Sequence, residues 1–358
     1  MSDHFNKLLQ KLPQLSDHTR IELISAPSAL ENLPNLSAGL GVQIDAKRDD
    51  TLPLGMGGNK VRQLEYYLGP AVEMGADTVL ITGAVQSNFT RTCAAAARRL
   101  GMHPILQMEE RVPKEDPVYR TSGNVLLSTL MGAEVVHFPT GNDEAAADAN
   151  LDRIADELRE NGRISYVIHL GIDHPPLGGL GYAAAAVETW LQYQSLGTLP
   201  DHVIIPSGSG LTHAGFLAGA RAIGWDVSVL GICVRRDADQ QRTRIQRRTT
   251  EILNLLGAAY DLKSGDIQLS DACLAPGYGL MNPQVGAAIS LAAVQEALLL
   301  DPVYSGRAMA GLIQHIETGT IRQNERVTFI HTGGTPAIFA YQSDLTKALE
   351  QASDDAVN

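Results

Sequence analysis

Short apolar runs of strand character alternate with longer segments of helical character along most of the chain. Residues 78–83 (TVLITG) predict a buried strand, and the Ala-rich residues 87–100 that follow predict a helix. The same alternation predicts strands over residues 103–108, 134–138, 166–170, 202–206, 227–233 and 326–331, and helices over residues 122–131, 144–160, 181–194, 212–223 and 336–349. Near-continuous apolar strands separated by helices are typical of parallel sheets that are covered on both faces. The pattern therefore predicts an α/β fold.

Three turns that follow predicted strands are rich in glycine, amide and hydroxyl residues. They are residues 83–88 (GAVQSN), 207–212 (SGSGLT) and 331–335 (HTGGT). Parallel sheets bind ligands at the carboxyl ends of their strands, where the chain turns into the next helix. We therefore expect these turns to carry the chemistry of the protein.

Residues 207–212 have the composition of an anion-binding turn. Gly208 and Gly210 allow the backbone to turn tightly, and the N-terminus of the following helix presents free N–H groups. Hydroxyl groups add further donors: Ser207, Ser209 and Thr212. The alternative is a plain strand-to-helix turn in which Thr212 acts only as a helix cap.

The kind of phosphate ligand is narrowed by two absent motifs. His213 occupies the third glycine position of the dinucleotide fingerprint, and no Gly-Lys-[Ser/Thr] sequence occurs in the chain. A cofactor with one terminal phosphate therefore fits these residues better than a nucleotide does.

Lys60 follows the flexible residues 55–59 and heads a predicted helix over residues 61–68. A lysine that forms a Schiff base needs a lowered pKa, from burial or from a neighbouring cation such as Arg62. Lys47 is the rival, but we expect its acidic neighbours to keep it protonated. Lys60 is thus the predicted nucleophile, although most lysines in such turns are simply solvated.

Two further groups are candidates for contacts with a ligand. Gln86, Ser87 and Asn88 stand at the start of a predicted helix, where amide, hydroxyl and N–H groups suit a bound carboxylate, although such residues are more often helix caps. Tyr278 and Tyr304 lie beside glycine or proline turns and either line a pocket or pack against it.

Charge and length restrict the class of protein. With 28 Lys+Arg against 40 Asp+Glu the net charge is −12, which repels nucleic acid and anionic membranes. Three dispersed cysteines, no signal-like start and no long apolar run favour a cytoplasmic protein without disulfides. At 358 residues we expect two domains, with residues 1–60 and 177–358 in the larger and residues 61–176 in the smaller.

Eight short motifs, in the order in which they occur, resemble the fold-type-II pyridoxal 5′-phosphate (PLP) enzymes, which are similar to the β subunit of tryptophan synthase. The motifs are residues 47–50 (KRDD), 57–60 (GGNK), 86–88 (QSN), 122–127 (SGNVLL), 179–182 (GLGY), 212–215 (THAG), 300–304 (LDPVY) and 331–334 (HTGG). They are most similar to the branch that contains D-cysteine desulfhydrase and 1-aminocyclopropane-1-carboxylate (ACC) deaminase. The resemblance implies two open, twisted, mainly parallel sheet domains with PLP in the cleft between them, and a homodimer.

The resemblance also implies roles for individual residues. Lys60 forms the Schiff base with PLP and later moves a proton at the substrate Cα, so the implied catalytic residues are Lys60, Ser87 and Tyr304. The implied cofactor-binding residues are Lys60, Asn88, Ser207, Gly208, Ser209, Gly210, Leu211, Thr212, Ser305 and Thr332. The implied substrate-binding residues are Gln86, Ser87, Asn88, Phe89, Tyr278 and Tyr304. Leu211 stands where many relatives have glycine, and its side chain narrows the cradle. No metal site is expected.

Two positions separate the branches of this family. The ACC deaminase pattern has glutamate and leucine where this chain has Ser305 and Thr332, as the desulfhydrase pattern does. A carboxylate keeps the pyridine nitrogen protonated and makes the ring a strong electron sink, whereas a hydroxyl leaves it largely neutral. Opening a cyclopropane needs the stronger sink, and expelling a thiol from Cβ needs less.

The resemblance therefore favours β-elimination of D-cysteine to pyruvate, ammonia and sulfide. Phe89 stands where relatives commonly have His or Gln, which leaves open another β-substituted amino acid such as cysteate. A sulfonate would need a further cation, and the motifs supply none. ACC deamination, amino-acid racemisation and a non-catalytic module that binds a phosphorylated ligand stay open as well.

Overall fold

The computed structural model describes residues 2–357, and the side-chain environments of residues 2–350. The strands are β1 (Leu30–Asn32), β2 (Gln43–Arg48), β3 (Thr78–Ala84), β4 (His103–Glu109), β5 (Glu134–Phe138), β6 (Ser165–Ile168), β7 (His202–Ser207), β8 (Ser228–Cys233), β9 (Gln268–Ser270) and β10 (Arg326–His331). The helices are α1 (Asp3–Leu9), α2 (Pro34–Leu40), α3 (Lys60–Glu73), α4 (Asn88–Arg99), α5 (Pro117–Thr121), α6 (Gly123–Leu130), α7 (Glu144–Glu160), α8 (Gly178–Leu196), α9 (Leu211–Ala222), α10 (Ala238–Leu255), α11 (Pro283–Glu296), α12 (Ser305–Glu317), α13 (Thr335–Ala340) and α14 (Gln342–Val357).

The strands form two sheets, which confirms the predicted α/β class. One sheet has six strands in the order β1-β2-β10-β7-β8-β9, and it is parallel except for the antiparallel edge pair β1-β2. The other has four parallel strands in the order β5-β4-β3-β6. Every residue of β3 is buried, as are most of β7, β8 and β10, because helices cover these strands.

Small residues let three helices approach one another closely beneath the future site. A Cβ on Gly181 of α8 would lie 2.1 Å from the carbonyl oxygen of Arg62 in α3. A Cβ on Gly215 of α9 would lie 2.4 Å from the carbonyl oxygen of Gly179 in α8. Since α3 begins at Lys60 and α9 begins beside residues 207–210, this packing fixes the distance between the candidate nucleophile and the candidate anion cradle.

A buried network of charged side chains lies directly under the turn that leads to Lys60. Arg62 donates to Asp49 (Nη2–Oδ1 2.8 Å) and to Glu188 (Nη2–Oε1 2.8 Å), and Lys47 is ion-paired with Glu188. The backbone carbonyl of Asp49 accepts a hydrogen bond from Gly58 N–H at 2.9 Å. Of the two causes considered for a lowered pKa of Lys60, burial is the one that acts, and the charge of Arg62 is compensated by two carboxylates.

Several predicted elements differ from the structure: the helix predicted over residues 61–68 is α3 (Lys60–Glu73), and the helix predicted over residues 181–194 is α8 (Gly178–Leu196). The strand predicted over residues 166–170 runs over Ser165–Ile168. The helix predicted over residues 336–349 is divided into α13 and α14 at Tyr341. The ring of Tyr341 is buried edge-on against Tyr119, with centroids 5.5 Å apart, and its hydroxyl donates to the Gly279 carbonyl at 2.8 Å. Core packing of this ring breaks the helix. Over residues 2–357, no helix has both the length and the apolar character required to span a bilayer.

Candidate active site

The carboxyl ends of the strands enclose one cleft of about 790 Å³, counting the part that is open to solvent. Its wall contains residues from the loops after β3, β4, β7, β8 and β10, as expected for parallel sheets. The predicted site residues on this wall are Lys60, Ser87, Asn88, Phe89, Gly208, Ser209, Gly210, Thr212, Tyr278, Tyr304 and Thr332. No carboxylate belongs to the wall among the residues that the structure describes.

Lys60 is the first residue of α3 and directs its amine into the cleft. Its Nζ lies 4.9 Å from the centroid of the Phe89 ring and 3.4 Å from Oε1 of Gln63. Burial lowers the pKa of Lys60 to about 8, because desolvation disfavours the ammonium form. A substantial fraction of this amine is therefore neutral near physiological pH and can act as a nucleophile or as a base.

The turn before Lys60 adopts a backbone conformation that only glycine tolerates easily. Gly57 has φ +66°, and a Cβ on it would lie 2.1 Å from the carbonyl oxygen of Asp50. The next residues hydrogen-bond to the end of β10, where Asn59 N–H donates to the Thr332 carbonyl at 3.0 Å. The glycine-rich turn thus joins Lys60 to the six-stranded sheet.

The loop after β7 provides an anion cradle. Gly210 has φ +88° and precedes the first turn of α9, whose N–H groups have no intrahelical acceptors. Thr212 Oγ1 accepts hydrogen bonds from Nδ2 of Asn59 and from Nε2 of Gln63, each at 2.8 Å. Because both lone pairs of this hydroxyl are occupied, its own proton is left to donate to a ligand in the cleft.

Two residues of the predicted cradle do not reach the wall of the cleft. Ser207 is buried, with its Oγ 3.2 Å from Nδ1 of His213 and 2.8 Å from Nε2 of Gln241, which donates to it. Leu211 is buried as well and stands outside the set of lining residues. The side chains that the structure brings together here are those of Ser209 and Thr212.

The start of α4 also presents polar groups to the cleft, from its N-cap Ser87 and its first residue Asn88. Ser87 Oγ accepts hydrogen bonds from the N–H groups of Phe89 (3.1 Å) and Thr90 (3.2 Å), so its proton is available to a ligand. Asn88 Oδ1 accepts from Asn124, which leaves the Asn88 amide N–H₂ as a donor. A carboxylate or a ring oxygen is a suitable acceptor for these groups.

Gln86 is directed away from the cleft. Its Nε2 donates to the carbonyls of Tyr119 and Ser122, and its Oε1 accepts from the N–H of Asn124 at 2.9 Å. These bonds tie the loop after β3 to α5 and to the start of α6. The structure therefore places Gln86 as a support for the site rather than on its wall.

Tyr278 and Tyr304 line the same cleft, and the Tyr304 ring lies beside Gly208 of the cradle. Their hydroxyl oxygens are 2.7 Å apart, so one hydroxyl donates to the other. Burial, together with Tyr278, raises the pKa of Tyr304 well above its ordinary value, which keeps this phenol protonated. Ser305 is not on the wall: its hydroxyl donates to Oδ1 of Asp301 at 2.6 Å and accepts from the Asp301 N–H. The implied contact between Ser305 and a pyridine nitrogen stays a prediction.

Gln63, Arg111 and Arg235 are among the residues of the site that sequence analysis missed. Gln63 bridges Lys60 and Thr212 from the first turn of α3. Arg111, after β4, and Arg235, after β8, contribute two cations to the wall, where the sequence motifs supplied none. Their position just beyond the ends of parallel strands is the signal that could have identified the two arginines.

Comparisons with known proteins agree with this geometry. A family model described as "Pyridoxal-phosphate dependent enzyme" matches residues 21–333. The D-cysteine desulfhydrases of Salmonella newport (strain SL254) and Salmonella typhi are each 39% identical over 330 residues, which cover 92% of this chain and 98% of each relative. A crystal structure of an ACC deaminase homologue superposes with a TM-score of 0.84 at 33% identity, covering 96% of this chain and 99% of that one. Threonine deaminase isoform 2 from Solanum lycopersicum, at 19% identity and a TM-score of 0.64 over 96% of this chain and 88% of that one, shares the fold.

Proposed function

The chain belongs to the family of pyridoxal-phosphate dependent enzymes, and on that basis we propose that it is a carbon–sulfur lyase that converts D-cysteine and water to pyruvate, ammonia and hydrogen sulfide. The relatives named D-cysteine desulfhydrase support the choice of reaction, since they match nearly the whole chain. The observation that carries the proposal is the partly buried amine of Lys60, which has a lowered pKa and faces a cleft rich in hydroxyl and amide donors and free of carboxylates among the described residues.

The residues of the cleft fit PLP. The unused hydroxyl proton of Thr212 and the free N–H groups at the start of α9 suit a phosphate. Gly208 allows the backbone of the cradle to pass close to two side chains, because a Cβ there would lie 3.0 Å from Cγ2 of Val234 and 3.2 Å from Cε1 of Tyr304. Asn88 and Thr332 line the same cleft and are the residues that would contact the ring. When bound, PLP supplies an electron sink for the negative charge that develops at the substrate Cα.

The protein's own groups perform the proton transfers and hold the substrate. Lys60 removes the Cα proton, and its pKa of about 8 suits a base that works near neutral pH. Ser87 donates its hydroxyl proton to the substrate carboxylate. Tyr304 stays protonated and pairs with Tyr278, so this pair donates a hydrogen bond to the departing sulfur.

A product assay on a panel of substrates tests this function. Purified holoenzyme is incubated with D-cysteine, L-cysteine and ACC, and pyruvate, sulfide and 2-oxobutanoate are measured. We expect pyruvate and sulfide in equal amounts from D-cysteine. Formation of 2-oxobutanoate from ACC without any sulfide from cysteine would show an ACC deaminase instead, and the absence of every keto acid would remove the proposal.

The lowered pKa of Lys60 predicts how cofactor-free protein captures PLP as the pH changes. Only the neutral amine attacks the PLP aldehyde, so the capture rate should rise with pH and level off above about 8. For an exposed lysine the rise would continue toward about 10.4. The measurement is the stopped-flow change in PLP absorbance between pH 6 and pH 10, and a rate that still rises steeply at pH 9.5 would contradict the effect of burial.

We also propose a homodimer, a cytoplasmic location, and a division into residues 61–176 and the rest. Free, buried cysteines support a reducing compartment: Cys93, Cys233 and Cys273. The four-stranded sheet lies wholly within residues 61–176, which supports the proposed division.

The homodimer is supported by an apolar surface on α11, α13 and the loop after α11. Its exposed side chains are Val294 (78%), Leu299 (54%) and Phe339 (61%).

Charges on this surface should convert the dimer to a monomer. The double substitution Val294→Asp and Phe339→Asp would bury two carboxylates in an apolar interface, which disfavours association. Light scattering coupled to size exclusion should then give half the mass of the wild-type protein. Leu196→Asp, on an equally exposed leucine at the end of α8, is the matched control and should leave the mass unchanged. A wild-type mass of one chain, or a dimer that survives the double substitution, would exclude this interface.

A further inference from the structure

The turn of residues 55–58, just ahead of Lys60, is left-handed throughout. Its three glycines have φ angles of +54°, +66° and +105°, and Met56 has a φ of +65°. Glycine adopts such angles without steric cost, whereas a residue with a side chain is strained by them. Because Met56 is 52% exposed, packing of its own side chain does not compensate for that strain. Other groups must therefore hold the left-handed turn in place.

Arg91 of α4, the helix between β3 and β4, holds this turn. Its Nη1 donates to the carbonyls of Gly55 and Gly57, the latter at 3.0 Å. Its Nε donates to Oδ1 of Asn124 at 3.0 Å, and Asn124 itself donates to Oδ1 of Asn88 at 2.9 Å. One guanidinium thus joins the left-handed turn to the helices that position Asn88.

The burial of Arg91 is costly, and no carboxylate offsets the cost. The side chain is fully buried, and among the described residues no carboxylate forms an ion pair with it. Burial lowers the pKa of Arg91 to about 10, so the group stays protonated near neutral pH. Its Nη2 has no hydrogen-bond partner among residues 2–350, which leaves the charge to three neutral oxygens. A cation retained under these conditions indicates a role that an apolar side chain could not perform.

Arg91 does not belong to the wall of the cleft, so it contacts the turn and not a ligand. The turn and α4 approach closely, since a Cβ on Gly55 would lie 2.6 Å from Cβ of Ala95. Without the bonds from Nη1, Met56 would favour a right-handed conformation, and Lys60 would move with the turn. Burial is the cause of the lowered pKa of Lys60, so movement toward solvent would raise that pKa.

We propose that Arg91 is a positioning residue for Lys60: its guanidinium clamps the left-handed turn of residues 55–58 and thereby keeps the Lys60 amine inside the cleft. The inference rests on the proposed role of Lys60 and deepens it by naming the group that holds this lysine. Every hydrogen bond of the clamp joins groups of this chain, so the clamp can be tested on cofactor-free protein.

Competitive labelling measures the environment of Lys60 without any turnover. Cofactor-free protein is pulsed with acetic anhydride between pH 6 and pH 10, unfolded, and fully acetylated with deuterated reagent. After tryptic digestion, Lys60 is quantified in the peptide of residues 49–62, which contains no other lysine. Only the neutral amine reacts, so the wild-type labelling curve should have its midpoint at about 8. In Arg91→Gln the midpoint should rise by at least about one pH unit, toward the value of about 10.4 for an exposed lysine.

Arg91→Lys separates the shape of the guanidinium from its charge. Lysine keeps the cation but lacks the planar fork that binds the turn and Asn124 together. The midpoint for Lys60 should therefore rise as it does in Arg91→Gln. Midpoints that stay at the wild-type value in both variants would overturn the proposal.

A second substitution shows whether Arg91 acts through the turn. Met56→Gly removes the steric cost of the left-handed conformation, so in the Arg91→Gln background it should return the midpoint at least about halfway to the wild-type value. Ala297→Gly in the same background is the matched control, because Ala297 is also exposed and left-handed (φ +52°) but lies at the end of α11. It should return nothing. A shift that Met56→Gly does not reduce, or that Ala297→Gly reduces equally, would overturn the proposal, because Arg91 would then stabilise the fold in general.

Met56→Ile tests the same link without any change to Arg91. A β-branched residue is strongly disfavoured at positive φ, and the fold should tolerate it here because this side chain is exposed. The midpoint for Lys60 should rise by at least about half a pH unit, whereas Ala297→Ile should leave it unchanged. Equal midpoints in Met56→Ile and the wild type would overturn the proposal even if Arg91→Gln did not fold.

Turnover separates this inference from the proposed function. In Arg91→Gln, kcat/KM for D-cysteine should fall about 10- to 100-fold, mainly through kcat, because Lys60 is displaced while the other residues of the wall remain. Turnover of D-cysteine by the wild type, with the Lys60 midpoint unchanged in Arg91→Gln, would refute the positioning role alone. A raised midpoint in Arg91→Gln, without keto acid from any substrate in the wild type, would refute the proposed function alone.

Discussion

Lys60→Ala should lower kcat/KM for D-cysteine by at least about 10⁴-fold and remove the covalently held cofactor. Lys60 provides the amine that lies buried in the cleft with its pKa lowered to about 8, and it faces Gln63 and Phe89 rather than a carboxylate. The wall of the cleft offers no second lysine among the described residues. Alanine leaves α3 and its contacts intact, so the loss should appear in catalysis and not in folding.

Two comparisons make this result specific. Lys7→Ala removes an exposed lysine of α1 and should leave kcat/KM unchanged. Lys60→Arg keeps the positive charge but has no neutral amine at any accessible pH, so it should be as inactive as Lys60→Ala. Activity in Lys60→Arg within about tenfold of the wild type would mean that another group moves the proton.

Glu188→Ala should reduce the free energy of unfolding by about 3–5 kcal/mol. Glu188 is fully buried and compensates two cations, Lys47 and Arg62, whose charged groups are buried as well. Removal of the carboxylate leaves Lys47 with only neutral partners, the Ser28 carbonyl and Gln192 Oε1, each at 2.7 Å. An uncompensated buried charge is costly because the interior solvates it poorly.

Urea unfolding of the cofactor-free proteins measures this effect without a contribution from bound PLP. Glu157→Ala is the control, because Glu157 pairs with Arg153 on the surface of α7 and should contribute no more than about 1 kcal/mol. Glu188→Gln retains a hydrogen-bond acceptor for Lys47, so its loss in the free energy of unfolding should lie between those of Glu188→Ala and Glu157→Ala. Equal, small effects of Glu188→Ala and Glu157→Ala would show that the network does not stabilise the fold.

The sequence correctly predicted elements in which the apolar positions follow a single period along the chain. Helix Glu144–Glu160 and strand Arg326–His331 have the predicted bounds, because each has one consistent pattern of apolar positions. Strand β2 was not predicted. Its sequence QIDAKR carries Asp45 and Lys47 into the interior, where Tyr193 and Glu188 pair with them. No local pattern reveals partners that are about 140 residues away in the sequence.

Within the candidate site, the sequence predicted the positions of the loops but not the directions of their side chains. Sequence reasoning located the loops that meet in the cleft, because strand ends determine that edge of a sheet. It did not determine which way a side chain points: Ser207 bonds to His213 and Gln241, Ser305 bonds to Asp301, and Gln86 supports a neighbouring loop. For the same reason Arg111 and Arg235 became visible only in three dimensions.

If Lys60 in this cleft holds PLP, reduction with borohydride should fix the cofactor to that lysine. Holoenzyme is reduced with borohydride in the absence of substrate, digested, and analysed by mass spectrometry. We expect a pyridoxyl phosphate group on the peptide that contains Lys60 and on no other lysine. A label on Lys47 or elsewhere, or no label in protein that carries stoichiometric PLP, would contradict it.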